Sequence, residues 1–201
     1  MLRRIGTGVG IFVPVAALVL AALAFWTPSV HTVSTPGARA LHAHFAADSL
    51  QSPSGPMPAP TTSLSEIRCG AWQARSRQPC PDEATLAQRV WPGVDQAPAT
   101  LYVALSGYSQ WALGPVTSNV EYQPSSRTVT IHFCESRPLA FIPHHVDDTV
   151  GTQVAPAINL LIVSLDGISS GPLNVVEDYW IERINGDENQ GASTLGTLTI
   201  P

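Results

Sequence analysis

Two side chains able to bind a metal or move a proton, His132 and Cys134, stand two residues apart in a run of alternating character. Val129, Ile131 and Phe133 alternate with Thr128, Thr130, His132 and Cys134, a period of two that makes a strand with one face in a core and one face out. On such a strand His132 and Cys134 project from the same face, about 7 Å apart at ~3.4 Å per residue. Imidazole with thiolate suits zinc or copper. His144, His145, Asp147 and Asp148 follow on a polar loop that could complete the coordination sphere. Adjacent histidines on an extended loop point to different sides, so only one of them readily joins an aspartate at a single ion. A blue-copper centre also wants a weak axial ligand such as methionine, and Met1 and Met57 lie outside the expected domain. As a thiol nucleophile and its base the pair fails on geometry, because neighbours on one strand face do not make the hydrogen bond that activation requires. The plainer reading is a half-buried histidine beside a cysteine that packs as a small hydrophobe.

Three further groups invite chemistry. Gly167-Ile168-Ser169-Ser170-Gly171 matches the G-x-S-x-G of a nucleophile elbow, which needs a strand before it, a helix after it and a base histidine later in the chain. No histidine follows Ser169, and a Ser- and Gly-rich turn accounts for the same residues. Glu177, Asp178 and Glu182 flank Tyr179 and Trp180. On a strand Glu177 and Asp178 face opposite ways and cannot share a proton-transfer task. Acids beside aromatics can instead form a protein- or glycan-binding surface. His42 and His44 form an H-A-H pair that can catch copper or zinc, and are read as solvated linker histidines.

Composition removes whole classes of mechanism. All ten basic residues are arginine, so Schiff-base lysines, Ser-Lys dyads and phosphate-loop lysines are excluded. The net charge of −5 argues against nucleic acid, which demands a basic footprint.

These residues need a scaffold, and the scaffold starts at a membrane. Residues 9–26 carry no charge, follow Arg3 and Arg4, and approach the ~20 apolar residues that cross a bilayer. The two arginines keep the N-terminus cytoplasmic and send the C-terminal domain outside as a single-pass protein. The alternative is a signal peptide cut near Ala22-Leu23-Ala24, which releases a secreted chain. In the oxidising compartment beyond, Cys69 and Cys80 bracket ten residues that a disulfide can close.

The domain plan is therefore a membrane anchor or signal peptide at 1–26, a Pro/Ser/Ala-rich stalk at 27–63, a helical segment with the disulfide at 64–97, a β-rich domain at 98–184, and a flexible tail or edge strand at 185–201. Within the stalk, residues 38–50 could turn helical. The 81–90 stretch is the expected soluble helix, with Pro81 in its first turn and Asp82 and Glu83 at the positive end of its dipole. Strands are predicted at 100–105, at 119–122 and 128–134 around a Pro124 turn, and at 159–165, whose continuous apolar run fits burial on both faces. Residues 173–184 fit either a helix or a strand, and the spacing upstream favours the strand.

The expected fold class is mainly β, a sandwich-like extracytoplasmic domain with one short N-terminal helix. The function expected of it is non-catalytic, a binding or accessory module at a cell surface with a protein or glycan ligand and no cofactor. The contrasting expectation is a zinc- or copper-dependent or thiol enzyme centred on His132, Cys134 and the 144–148 loop.

Overall fold

The computed structural model describes residues 14–15, 18–19, 34–51, 55–107, 116–136, 157–182 and 188–201. The expected membrane segment lies outside the described residues, except for the exposed helical residues Pro14, Val15, Leu18 and Val19. Among the described residues no helix is long and apolar enough to cross a membrane.

The fold is mainly β. Among the described residues nine strands form: β1 (Arg39–Leu41), β2 (Ala43–Phe45), β3 (Leu50–Gln51), β4 (Thr100–Gly107), β5 (Val116–Gln123), β6 (Thr128–Ser136), β7 (Ala157–Ser164), β8 (Gly171–Glu182) and β9 (Glu188–Ile200). A five-stranded sheet runs β1-β5-β6-β8-β9. In a four-stranded sheet the central β7 pairs with β4 on one side and with β2 and β3 on the other. All pairs are antiparallel except β6 with β8. That parallel pair arises because the chain leaves β6, runs back through β7 in the smaller sheet, and returns to the larger one as β8.

The sheets face each other across an apolar core. Leu101, Val103 and Leu105 of β4 and Leu161 and Val163 of β7 meet Val120, Val129, Ile131, Phe133, Leu173 and Val175 of the larger sheet. The alternate residues of the same two strands, Tyr102, Ala104, Ile158 and Leu160, belong to a second core under a helical layer. A continuous apolar run such as 159–165 is what a strand covered on both sides requires.

Among the described residues from 34 onward, two helices form where one was expected. The first, α1 (Leu64–Ser76), turns Leu64, Ile67, Ala71, Trp72 and Ala74 inward. The Ser63 hydroxyl caps it by accepting from the Glu66 N–H at 3.3 Å. The second, α2 (Glu83–Arg89), is capped by Asp82, which places Pro81 before the cap and not in the first turn. Buried Arg68 ties α1 to the following turn by donating to the carbonyls of Val90 (3.0 Å), Trp91 (3.1 Å) and Val94 (2.6 Å). The Cys69–Cys80 disulfide forms, with its Cα atoms 5.4 Å apart, and links α1 to the segment that leads into α2.

The segment read as a stalk carries β1, β2 and β3, and the helix considered for residues 38–50 does not form. β1 and β2 are consecutive in the chain but lie in different sheets, with His42 at the corner between them. Ala46 and Leu50 are buried in the helical core. Beyond them Pro58 and Pro60 press on glycines: a Cβ at Gly70 would meet the Pro58 Cβ at 2.5 Å, and one at Gly196 the Pro60 Cδ at 2.8 Å. Residues 173–182 are strand, within β8, and the last residues form the edge strand β9.

Candidate functional site

The hairpin of β5 and β6 turns at Pro124, and Val129, Ile131 and Phe133 enter the core as their alternation demands. His132 therefore lies on the face turned away from the sandwich, yet only 2% of it is exposed. A half-buried histidine was expected here, and the side chain is almost fully buried. The reason lies on the flanking strands. In the parallel pair His132 stands opposite Asp178 of β8, and Glu121 of β5 lies one strand away on the other side. Both acids are also buried, at 8% and 6% exposure.

Asp178 Oδ2 accepts from His132 Nδ1 at 2.9 Å and from the Trp180 indole N–H at 2.6 Å, and Oδ1 accepts from the Asn189 amide at 3.0 Å. A carboxylate that already takes two other N–H donors is suited to accept from Nδ1 as well. The opposite nitrogen, Nε2, faces Glu121 Oε2 at 3.5 Å. Glu121 also receives the Thr35 backbone N–H, at 3.1 Å to Oε2. The result is a buried polar network that crosses β5, β6, β8 and β9 and draws in the N-terminal segment.

An imidazole fixed by an aspartate is what an acid–base pair needs, provided the other nitrogen looks at a reacting group. Here it looks at a second carboxylate. The two acids sit at opposite nitrogens of the ring, so they do not converge on one ion with the histidine. Among the described residues no group of three or more His, Cys, Asp or Glu side chains is arranged to hold a metal.

Of the other residues singled out from the sequence, Cys134 takes a backbone position opposite Val116 and Trp180, and its side chain is outside the described set. His144, His145, Asp147 and Asp148 lie outside the described residues. Ser169 sits in the turn between β7 and β8, followed by a strand where an elbow needs a helix. Its hydroxyl accepts from Arg127 Nη1 at 2.8 Å, while the same guanidinium binds the carbonyls of Ser169 (2.7 Å) and Pro172 (2.7 Å). Ser169 is held as part of a clamped turn. Glu177 and Asp178 diverge as expected, Glu177 accepting from the Ser193 hydroxyl at 2.6 Å. His44 lies in β2 of the smaller sheet and His42 at the corner just before it, and neither is on a linker.

Sequence reasoning missed Glu121 and Asn189 as members of the network, and the pairing of His132 with Asp178. The alternation places each on a strand face, but no local pattern states which strands are neighbours. A cleft of ≈ 900 Å³ opens elsewhere, beside the disulfide, between the proline segment, the helices and the end of β9. Pro58, Pro60, Glu66, Pro81, Glu83 and Leu198 are among its walls.

No protein-family model matches the chain, and no curated protein or solved structure is significantly similar to it.

Proposed function

We propose that this protein is a non-catalytic binding or accessory module, tethered to a membrane by residues 9–26 and displayed on the extracytoplasmic side. The observation that carries the reading is the state of His132: each ring nitrogen faces a carboxylate on a neighbouring strand, so the imidazole braces the sheet and does not wait on a substrate. The disulfide fits an oxidising compartment. The open cleft beside it, walled by prolines, hydroxyl side chains and two glutamates, offers a surface suited to a polypeptide or glycan ligand.

Reporter fusions after Ile200 test the placement. A reporter active only in an oxidising compartment should give signal, and signal from a cytoplasm-only reporter overturns it. Sequencing the mature N-terminus separates an anchored chain from one cut near Ala24. Zinc that survives dialysis of the purified chain and disappears in His132→Ala would replace the binding module with a metal enzyme.

A further inference from the structure

His42 and His44 fall on the exposed side of the first stretch of the smaller sheet. Leu41, Ala43 and Phe45 pack against the sandwich core, so the two histidines, one position out of phase, emerge together on the opposite side. Both are exposed, their ring centroids are 5.9 Å apart, and the ring planes are tilted by 36°. Their backbones are fixed by the sheet. The His42 carbonyl accepts from the Ser164 N–H at 2.9 Å, and His44 is in register with Ile162 of β7. A cavity of ≈ 300 Å³ lies beside them, with Asn119 at its wall.

We propose that His42 and His44 form a two-imidazole site for a divalent transition metal, copper(II) above all. With metal–nitrogen bonds of about 2.0–2.1 Å, two imidazoles on one ion hold their centroids roughly 4.5–6 Å apart, depending on the angle at the metal. The separation in the structure falls at the upper end of that range, so closure needs side-chain rotation and no backbone movement. Preorganisation of this kind lowers the entropy lost on chelation. Exposure leaves the remaining coordination positions to water. Copper(II) stands highest in the divalent series for nitrogen ligands and accepts a flat arrangement of two imidazoles and waters, which makes it the preferred ion over zinc or nickel. The site is separate from the His132 network and does not depend on the binding-module reading.

The test is a titration of the full-length chain in detergent, free thiols alkylated, with copper(II) alone. Binding is followed by electron paramagnetic resonance, whose nitrogen couplings count the bound imidazoles. One copper per chain with two nitrogen ligands is expected. His42→Ala and His44→Ala should each weaken binding by at least roughly 10–100-fold, the loss that even an outer-shell change causes. His144→Ala with His145→Ala should leave the signal intact. Far-ultraviolet circular dichroism checks that the variants fold, and His42→Gln and His44→Gln repeat the test with a polar replacement. No binding by the parent chain overturns the proposal, as does an unchanged signal in the doubly substituted His42/His44 chain.

Discussion

Asp178 holds three donors with two oxygens, those of His132, Trp180 and Asn189, and it does so almost out of contact with water. Replacing it with alanine leaves all three without that acceptor, and a buried group that loses its partner costs about 1–3 kcal/mol. Asp178→Ala is therefore expected to destabilise by about 3–5 kcal/mol, the range found when one side of a buried pair is removed. Glu177→Ala next door removes only a contact to the exposed Ser193 and should cost less than about 1 kcal/mol. Urea unfolding of the two variants makes the comparison, and equal losses would mean that the network does not brace the sheet. Sequence alternation already showed that neighbouring acids on β8 diverge. It could not show that the buried charge of one strand meets a histidine 46 positions earlier. That pairing depends on a parallel register between strands separated by a strand in the other sheet, which no local pattern encodes.

At the scale of elements, what was readable follows from signals with short range. The β5–β6 hairpin carries its turn proline and its alternation together, β7 announces two-sided burial by its continuous apolar run, and the two cysteines close a loop short enough to pair. A loop of that length should stabilise by about 3 kcal/mol in the chain-entropy estimate. Helix α1 lies inside the segment read as helical, but only the 81–90 helix was singled out there, although Ser63-Leu64-Ser65-Glu66 has the S-x-x-E form of a capping box followed by helically spaced apolar residues. In the structure the Glu66 carboxylate reaches the Thr61 hydroxyl at 2.8 Å, and that hydroxyl accepts the Ser63 N–H at 3.0 Å, so the box closes through one extra residue. Strands β1 to β3 left no pattern, because three residues among prolines, serines and histidines are too few to show a period, and their stability comes from the edges they pair with. The cap of α2 gives an acid-dependent prediction. The Thr85 backbone N–H and then its hydroxyl bind the Asp82 carboxylate and hold its pKa below the ordinary 3.8. The ionised cap therefore adds stability that is fully present above about pH 4 and is lost as pH falls through the lowered folded value. Asp82→Asn should flatten this part of the acid profile of the melting temperature. Identical profiles for the two chains would show that the cap contributes nothing to acid sensitivity.

In the whole molecule the decisive arrangement is that β4 and β7 belong to two cores at once. Leu160 of β7 points into the helical core and Leu161, the next residue, into the sandwich core, both almost fully buried. The helical layer has no sheet of its own to cover, and the sandwich has no second wall without β4 and β7. Neither half keeps its core if these strands separate. Unfolding should then be a single cooperative transition, as in small single domains. Leu160→Ala and Leu161→Ala supply a direct test, since each leaves a cavity in a different core and each should cost about 2–5 kcal/mol. In a cooperative molecule both substitutions lower the same midpoint, whether the helices are followed by far-ultraviolet circular dichroism or the tryptophans by fluorescence. Trp72 and Trp91 report on the helical core, while Trp180 reports on the outer face of the larger sheet. The reduced disulfide must be avoided during the measurement, because loosening α1 would weaken one layer selectively. If Leu160→Ala moved only the helical signal and left the β-sheet transition in place, the helical layer would be an independently melting attachment. The shared strands argue for the opposite result: the two substitutions, on adjacent residues facing opposite ways, should shift one common transition.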